Sequence, residues 1–462
     1  MAVDSRSVGP GALFCALIGA RHDGHEFLAQ AARGGASAAV VERPVPDAPL
    51  PLLRVSDTRS AAAHLASLFR GDPAEDLRLF GVTGTNGKTT VTWILRHLLL
   101  ERGPTASLGT LGAVGPGGSV TPGTLTTPDP IALMALLEKL RDEGVETLAM
   151  EVSSHALDQR RVDSLDFQGV AFTNLTREHL DYHRDMESYR AAKLRLLELL
   201  APGGVCAWRA GEPAWEGLEA RVEAVGGRPL TYGRAEGAEV RARDVELEPD
   251  GSRWSLETAG DSAELHLPLP GEFNVENALA AAALALHLGL ATERIAERLG
   301  SVPPVPGRME VLCGGPFLVL RDYAHTPDSF RRVLTGVRRH AAGRVILVFG
   351  CGGERDAGKR PLMGRVASDL ADLTMVTTDN PRSEDPAEIA EQVTSDMAAG
   401  GFEVVLDREE AIGRALAAAR PGDAVLLLGK GHETYQVVGR DRLPFDEKAI
   451  VTRLLAQPVG GA

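Results

Sequence analysis

Residues 81–90 read GVTGTNGKTT, a glycine-rich loop that decides how this chain is expected to fold. An apolar run from Leu77 to Val82 leads into the loop and predicts a buried strand, and apolar residues at helical spacing follow it between Val91 and Leu99. Glycines let backbone N–H groups turn toward phosphate oxygens, and a helix that starts at the loop adds the positive end of its dipole. Strand, loop and helix in this order predict a nucleoside triphosphate site.

The polar residues at the end of the loop suit a triphosphate and its metal ion. Lys88 is expected to neutralise the β- and γ-phosphates, and the Thr89 hydroxyl is expected to coordinate Mg²⁺. The spacing departs from the usual P-loop, because Gly84 precedes Gly87 by three residues and Val82 stands where the first glycine would fall. A glycine-rich turn without a ligand is the alternative, and the strand–loop–helix context favours the nucleotide site.

An acidic residue is also expected near the loop, at the end of a neighbouring strand, where it can hold the metal ion. Glu151 fits that place because it closes the apolar run from Thr147 to Met150. Taken alone, this segment is equally well interpreted as a strand that ends with a carboxylate in water.

Away from the loop, strands and helices alternate along most of the chain, which predicts an α/β fold with a parallel, doubly wound sheet. Gly71-Asp72-Pro73 and the proline-rich stretch from Val302 to Gly307 interrupt this pattern and mark domain boundaries. Between Val240 and Leu269 the apolar period drops to two, which predicts a small antiparallel addition. We therefore predict a small N-terminal α/β domain at 1–75, a central P-loop ATPase-like domain at 76–302, and a C-terminal Rossmann-like domain at 303–462.

Two helices of the central domain have clear sequence signals. One is predicted from Met186 to Leu200, and Pro202-Gly203-Gly204 is expected to end it. The other is rich in alanine, runs from Asn274 to Leu288 and ends at Gly289.

Composition and charge exclude several classes of protein. Apolar residues make up 44% and charged residues 24% of the 462, an ordinary globular balance, and the formal charge of −14 disfavours a nucleic-acid partner. The four cysteines match no disulfide or zinc spacing. The amino terminus has no apolar signal-peptide core, and no apolar stretch is long enough to span a bilayer. We expect a cytoplasmic protein without membrane insertion, and a monomer.

The loop and six further segments resemble one family of enzymes. Gly84 to Thr89 resemble the phosphate loop of the Mur ligases and of the folylpolyglutamate synthetases. The other segments resemble tripeptide-forming Mur ligases, and they are EVSSH at 151–155, TNLTREHLD at 173–181, YRAAK at 189–193, DYAHTP at 322–327, FGCGGERD at 349–356 and GKGHE at 429–433. Because the match covers essentially the whole chain in consistent order, it is far more specific than any single motif.

The resemblance implies a reaction as well as three domains. In this family ATP phosphorylates a carboxylate, an amine attacks the acyl phosphate, and phosphate leaves. The matching members imply UDP-N-acetylmuramoyl-L-alanyl-D-glutamate as the acceptor and meso-diaminopimelate as the amine, in peptidoglycan precursor synthesis. Two Mg²⁺ ions are expected, because a carboxylate must approach a highly charged triphosphate.

The family's ATP and metal positions can be carried over onto matching residues. The implied ATP contacts are Gly84, Thr85, Asn86, Gly87, Lys88, Thr89, Thr90, Asn274, Asn277, Arg308, Asp322 and His325. The implied metal ligands are Thr89, Glu151, His179 and Lys193, and the implied catalytic residues are Lys88, Glu151, His179, Lys193 and Arg308. Lys193 is implied to carry a carbamate from CO₂, which requires its neutral amine. Without the resemblance, Lys193 would be interpreted as a solvated helix lysine, and His179 as a structural histidine.

The acceptor nucleotide has its own implied contacts. They are Val3, Ser5, Thr126, Thr127, Ser153, Gln159 and Arg161, whose hydroxyls and guanidinium suit diphosphate, sugar and carboxylate groups. An alternative for Thr126 to Asp129 is a helix start with a capping threonine and a first-turn proline. Ala20-Arg21-His22 occupies the expected nucleotide loop without matching the family closely.

The choice of amino acid is implied by a loop in the C-terminal domain. The implied diaminopimelate contacts are Arg355, Asp379, Asn380, Pro381, Arg382, Gly429 and Glu433. Diaminopimelate carries one carboxylate more than lysine, and an arginine such as Arg382 can bind it bidentately. A turn capped by Asp379 and Pro381 is the alternative interpretation of this loop.

Three other functions remain open from the sequence. The nearest is the same reaction with L-lysine, and a more distant one is a folylpolyglutamate synthetase, which the Asp-Ser-Arg start at 4–6 and the Asp379–Arg382 loop disfavour. The third is a non-catalytic nucleotide-binding module that has kept the fold. The joint presence of Lys88, Glu151 and Lys193 speaks against such a decayed site.

Overall fold

The computed structural model describes residues 1–19, 22–123 and 125–456, so Ala20 and Arg21 of the expected nucleotide loop lie outside the described residues. The first sheet has three parallel strands in the order β1-β2-β3, covered by two helices. Its elements are β1 (Leu13–Cys15), α1 (Leu28–Arg33), β2 (Ala38–Val41), β3 (Leu52–Arg54) and α2 (Thr58–Phe69). Phe14, Leu28 and Val41 belong to its apolar core.

The second sheet has eleven strands in the order β14-β13-β12-β11-β10-β9-β4-β8-β5-β6-β7. The strands are β4 (Arg78–Thr83), β5 (Thr105–Gly109), β6 (Gly112–Val114), β7 (Val120–Thr121), β8 (Thr147–Glu151), β9 (Phe167–Phe172), β10 (Leu200–Arg209), β11 (Arg228–Gly233), β12 (Val240–Glu248), β13 (Gly251–Glu257) and β14 (Ser262–Leu267). The helices are α3 (Lys88–Leu99), α4 (Pro130–Asp142), α5 (Ser154–Asp158), α6 (Leu180–His183), α7 (Met186–Leu194), α8 (Leu218–Ala224), α9 (Glu272–His287) and α10 (Thr292–Leu299).

The middle of this sheet is parallel, and both edges are antiparallel. β12, β13 and β14 form the antiparallel addition that the change of period predicted. The opposite edge, β5-β6-β7, is also antiparallel and was not predicted, because β6 and β7 are too short to show a period.

The predicted helix from Met186 to Leu200 is wrong at its end. The α-helix stops at Leu194, a 3₁₀ turn covers Arg195–Leu199, and Leu200 already belongs to β10. Pro202 to Gly204 therefore interrupt no helix: they lie where the pairing of β10 with β9 shifts register between Leu200 and Val205.

The third sheet has six strands in the order β15-β16-β20-β17-β18-β19, all parallel except β15. Its elements are β15 (Glu310–Cys313), β16 (Leu318–Asp322), α11 (Pro327–His340), β17 (Val345–Phe349), α12 (Lys359–Leu370), β18 (Leu373–Val376), α13 (Pro386–Thr394), β19 (Phe402–Val404), α14 (Arg408–Ala418), β20 (Ala424–Leu428) and α15 (Glu447–Ala456). A separate hairpin consists of β21 (Tyr435–Val438) and β22 (Asp441–Pro444). The predicted α/β fold in three parts is confirmed, whereas the exact domain boundaries at 75/76 and 302/303 stay a prediction.

The alanine-rich helix α9 sets the position of the site. Residues 278–285 are fully buried, and their small side chains let α9 pack closely against α3 and the sheet. This packing brings the start of α9 beside the phosphate loop. Among the described residues, no helix is long and apolar enough to cross a membrane.

Candidate active site

The glycine-rich loop lies between β4 and α3, and its two inner glycines are required by its shape. Gly84 has φ of 145° and Gly87 has φ of 91°, backbone conformations that residues with a Cβ rarely adopt. A Cβ on Gly84 would lie 1.8 Å from Thr173 Oγ1, and one on Gly87 would lie 2.4 Å from Asn277 Oδ1. Val82 is a buried residue of β4, so no glycine is needed at that position.

Two lysines converge on one carbonyl of this loop. Lys88 Nζ donates to the Gly84 carbonyl at 2.9 Å and to the Thr85 carbonyl at 2.8 Å, and Lys193 Nζ donates to the Gly84 carbonyl at 2.7 Å. Arg308 reaches the loop from beyond the linker, where its Nη2 donates to Thr89 Oγ1 at 3.0 Å. Three cationic side chains therefore surround the place where the loop would hold phosphates.

A cavity of about 630 Å³ runs along the loop. The predicted residues that line it are Thr85, Asn86, Gly87, Lys88, Thr89, Thr90, Thr126, Glu151, Ser153, His179, Asn277, Arg308, Asp322 and His325. Asn274 lies behind this wall, where its Oδ1 accepts from Asn277 Nδ2 at 3.0 Å. The cavity thus joins the predicted ATP and metal residues of the central and C-terminal parts of the chain.

Asp322 fixes the segment that carries Arg308. Its two carboxylate oxygens accept from the backbone N–H groups of Met309 and Ala324, each at 2.7 Å. Burial raises the pKa of Asp322, and the nearby Arg308 opposes that shift. The Arg308 guanidinium also lies over the Tyr323 ring at 4.6 Å, so its direction toward the loop is well determined.

The residues implied to hold metal ions offer suitable donors. Glu151 is buried, and both of its carboxylate oxygens accept from Thr110, at 2.7 Å from the backbone N–H and 3.1 Å from the hydroxyl. Burial, with repulsion from Lys88 and Lys193, lowers the pKa of His179 to about 4, although Glu178 opposes this. His179 is therefore a neutral imidazole at pH 7, the form that can ligate a metal.

Lys193 is fully buried, so its interpretation as a solvated helix lysine is wrong. Burial and the charge of Lys88 hold the pKa of Lys193 well below its usual value, against the attraction of Glu178. Burial therefore favours the neutral amine, which is the form that can react with CO₂. The Thr89 hydroxyl and the Glu151 carboxylate, which line the cavity, offer the oxygen donors that magnesium prefers.

Sequence reasoning missed Glu178, which joins the central and C-terminal parts of the cavity wall. Its Oε1 lies 3.1 Å from His325 Nε2, and its Oε2 lies 3.7 Å from His179 Nε2. Burial opposes ionisation, but the His325 hydrogen bond and the charges of His179 and Lys88 hold the pKa of Glu178 far below its usual range. Its position inside the segment TNLTREHLD was the available signal.

Five of the predicted acceptor contacts form a connected group beside Glu151. Thr127 Oγ1 donates to the Glu151 carbonyl at 2.9 Å and accepts from Ser153 N at 3.1 Å. Arg161 donates to the Thr127 carbonyl at 2.8 Å and to Gln159 Oε1 at 2.6 Å. Thr126 lines the cavity next to them, whereas Val3 and Ser5 lie in the first part of the chain and do not line it.

The capping threonine proposed for this segment is wrong. Asp129 caps α4, because its side chain accepts from Ile131 N and Ala132 N. The hydroxyls of Thr126 and Thr127 are therefore not used in the cap.

The residues predicted to bind the amino-acid substrate form a second group at the ends of β18 and β20. Asn380 Nδ2 donates to Glu433 Oε2 at 2.8 Å, and a Cβ on Gly429 would lie 2.5 Å from Asp379 Oδ2. Burial and repulsion from Arg355 lower the pKa of Arg382. Two arginines that repel each other in a half-buried loop suit an anionic ligand.

The site combines a phosphate loop with a buried carboxylate and a buried lysine, and a separate group of residues suits an amino-acid ligand. This combination is typical of an ATP-dependent acid–amino-acid ligase. The chain belongs to the Mur ligase family. The Mur ligase middle domain matches residues 82–285, the Mur ligase glutamate ligase domain matches 307–431, and the Mur ligase family catalytic domain matches 1–70.

The comparisons with individual proteins agree with this family. UDP-N-acetylmuramoyl-L-alanyl-D-glutamate--2,6-diaminopimelate ligase of Geobacillus kaustophilus is 43% identical over 97% of this chain and 93% of its own length. The enzyme of the same name from Alkalilimnicola ehrlichii is 44% identical over 100% and 95%.

Solved structures extend the likeness to three dimensions. A structure of UDP-N-acetylmuramoyl-L-alanyl-D-glutamate--2,6-diaminopimelate ligase has a TM-score of 0.69 and 32% identity, covering 98% of this chain and 94% of that chain. A folylpolyglutamate synthase of Mycobacterium tuberculosis complexed with ADP has a TM-score of 0.70 at 17% identity, covering 86% and 95%. The latter likeness concerns the fold alone.

Proposed function

We propose that this chain catalyses the ATP-dependent addition of meso-diaminopimelate to the D-glutamate γ-carboxylate of UDP-N-acetylmuramoyl-L-alanyl-D-glutamate, in peptidoglycan precursor synthesis. The observation that carries the proposal is that Arg355 and Arg382 lie near each other among the residues predicted to bind the amino acid. The chain that carries them is 43% identical, over 97% of its length, to a diaminopimelate ligase. We also infer a cytoplasmic monomer with the domain limits 1–75, 76–302 and 303–462.

The first chemical step would take place at the phosphate loop. Loop amides and the start of α3 bind the β- and γ-phosphates, and Lys88 and Arg308 neutralise their charge. Magnesium, when bound, supplies further charge neutralisation and polarises the γ-phosphate. Thr89 and Glu151 would hold one ion, and His179 with carbamylated Lys193 would hold the second. The acceptor carboxylate can then approach the γ-phosphorus without prohibitive repulsion. One of its oxygens forms a bond to the γ-phosphorus while the bond from that phosphorus to ADP breaks, which gives an acyl phosphate and ADP.

The surroundings of Lys193 support a carbamate on that residue. Its neutral amine would add CO₂ to give an N-carboxylate and a proton, which leaves an anion where the amine stood. The anion would attract the Lys88 ammonium and would supply a carboxylate ligand for a metal ion. Burial protects the carbamate from water.

The second step needs an amine held at the acyl carbon. Asp379, Asn380, Glu433 and the two arginines supply acceptors for the ammonium groups and donors for the carboxylates of diaminopimelate. A lysine substrate lacks the far carboxylate and would leave Arg382 unpaired in a half-buried loop, at a cost of about 2–5 kcal/mol. The preference for diaminopimelate over lysine is therefore expected to lie in binding.

The decisive experiment is a substrate panel with mass detection of the UDP-linked product. Purified protein, ATP, Mg²⁺ and UDP-N-acetylmuramoyl-L-alanyl-D-glutamate are mixed with meso-diaminopimelate or L-lysine, each with and without bicarbonate. The proposal expects the diaminopimelate product and a higher rate with bicarbonate. A lysine product alone would assign the lysine-adding reaction, and the absence of ADP formation would favour a non-catalytic module.

A further inference from the structure

Lys430 is a completely buried lysine that the proposed mechanism does not use. It follows β20 in the segment GKGHE, and its side chain is 0% exposed. Its Nζ lies 3.2 Å from Asn380 Oδ1 and 3.2 Å from Glu433 Oε2. Burying an ammonium group costs free energy unless the group is paired and hydrogen-bonded. These two contacts therefore stabilise Lys430 in its buried position.

The first contact determines the orientation of the Asn380 carboxamide. Its Oδ1 accepts from Lys430 Nζ and from Val437 N at 2.9 Å, so both lone pairs are used. Its Nδ2 donates one hydrogen to Glu433 Oε2 at 2.8 Å. Turning the amide over would place NH₂ against the Lys430 ammonium and the Val437 N–H, donor against donor. Lys430 therefore fixes Asn380 in an orientation in which its second N–H has no acceptor among the residues that the structure describes.

The second contact determines which oxygen of Glu433 is free. Oε2 accepts from both Lys430 and Asn380, and within the described part of the chain Oε1 accepts no hydrogen bond. Lys430 also offsets the charge of a carboxylate that is only 14% exposed. Oε1 is therefore the oxygen that Glu433 can offer to a cationic group.

The same site is tied to the β21–β22 hairpin. Val437 belongs to β21, and its carbonyl accepts from Arg382 N at 3.0 Å, while Arg382 itself has φ of 53°. The Arg382 carbonyl accepts from Gly439 N at 2.7 Å. Lys430 thus stands at the point where the amino-acid loop, the hairpin and Glu433 meet.

We propose that Lys430 is a positioning residue for the amino-acid substrate. It acts through two neighbours and does not touch the substrate. It holds Asn380 so that one N–H points to a substrate carboxylate, and it leaves one oxygen of Glu433 for a substrate ammonium group. This inference rests on the proposed function and deepens it, because it names the residue that makes the zwitterion-binding groups complementary to their ligand.

The test separates amino-acid binding from acyl phosphate formation. Lys430→Met is compared with wild type and with Lys139→Met, which removes an exposed lysine of α4. Hydroxylamine is used as a small substitute nucleophile: its nitrogen attacks the acyl carbon, a C–N bond forms, and phosphate leaves with a hydroxamate as the product. Hydroxamate formation reports the acyl phosphate without requiring the amino-acid site.

For Lys430→Met we expect KM for diaminopimelate to rise about 10- to 100-fold, the effect of losing one hydrogen bond to a charged group. Hydroxamate formation and KM for ATP should match wild type, and Lys139→Met should be unchanged in every assay. An unchanged KM for diaminopimelate, or an equal loss of both products, overturns the proposal.

Lys430→Gln guards against a folding defect, because it keeps a polar group without the charge. It should raise KM for diaminopimelate and retain hydroxamate formation, and if both variants fail to fold, Lys430 is a stability residue and the inference is wrong. If wild type adds lysine instead of diaminopimelate, the proposed function fails, whereas KM for the amino acid that is added still tests Lys430.

Discussion

At the scale of single residues, Arg382 is the side chain on which the choice of amino acid is expected to depend. Burial and repulsion from Arg355 lower the pKa of Arg382, so an anionic ligand that binds beside it stabilises the charged guanidinium. We expect Arg382→Ala to lower kcat/KM for diaminopimelate by roughly 30-fold or more, because truncating a desolvated charge partner costs about 2–5 kcal/mol. Steady-state kinetics on the UDP-linked product would measure it.

Arg365→Ala is the matched control, because Arg365 is 61% exposed and forms an ion pair with the surface residue Asp396. Hydroxamate formation by Arg382→Ala should persist, since the acyl phosphate forms at the other end of the cavity. Retained incorporation of diaminopimelate would refute the specificity role of Arg382.

Lys193 gives the second prediction at this scale. Lys193→Ala should lower kcat by about 100-fold or more, because one metal ligand is lost. Native mass spectrometry of wild type in bicarbonate should show the added mass of one CO₂, and this addition should be missing in Lys193→Ala. An unmodified wild-type protein with full activity would count against the carbamate.

Sequence reasoning at this scale was limited by burial. The surroundings of Lys193 include the Gly84 carbonyl and the charges of Lys88 and Glu178, and no local pattern around residues 189–193 reports them. Glu178 and Lys430 were missed for the same reason, since their partners His325 and Asn380 lie far away in the chain.

At the scale of elements, the phosphate loop is the part that sequence predicted best. Its function requires glycine at two fixed places, and such requirements are visible in the residues themselves. The end of the helix at 186–200 was predicted poorly, because the leucine run through Leu196, Leu197 and Leu200 suits a helix or a buried strand equally well. Pairing with β9 decides the matter, and pairing cannot be read from one segment.

The loop also supplies a prediction. Gly84→Ala should raise KM for ATP about tenfold or more, because the new Cβ would meet Thr173 Oγ1 and the backbone has φ of 145°. Gly117→Ala is the control, since a Cβ there meets nothing within 4 Å. Nucleotide titration by fluorescence would give both affinities, and equal values would contradict the structural requirement.

At the scale of the whole molecule, buried histidines predict a loss of stability in acid. Burial, with nearby arginines, lowers the pKa of His97 to about 4 and that of His432 to about 3. Because the unfolded chain binds these protons near pH 6.5 and the folded chain does not, stability present above pH 6.5 is lost as pH falls toward 4.

Urea unfolding at about pH 7.5 and about pH 5 would measure this effect. Each histidine is expected to contribute on the order of 1 kcal/mol to the difference in the free energy of unfolding between the two pH values, after allowance for partial exposure. His97→Gln should shrink the difference, since glutamine can still donate to the Arg298 carbonyl without titrating. The same change at the exposed His64 is the control, and an equal effect of both variants would refute the assignment to His97.

The order of the three sheets was predictable from the alternation of elements and from the segments that resemble the family. The closure of the second and third sheets around one cavity was not predictable, because it depends on single contacts across the linker, such as Arg308 with Thr89. The linker sequence predicts a stiff connection, but it does not predict the angle between the two parts of the chain that it joins.

The shared carbonyl of Gly84 has a consequence for regulation by dissolved gas. Lys88 and Lys193 both donate to that oxygen, and capture of carbon dioxide by Lys193 would replace one of these donors with an anion that can help to hold the metal ion of a triphosphate. Thermodynamic linkage is reciprocal, and nucleotide should therefore tighten retention of carbon dioxide by the same factor. Removal of bicarbonate would then first lower the affinity of the protein for ATP.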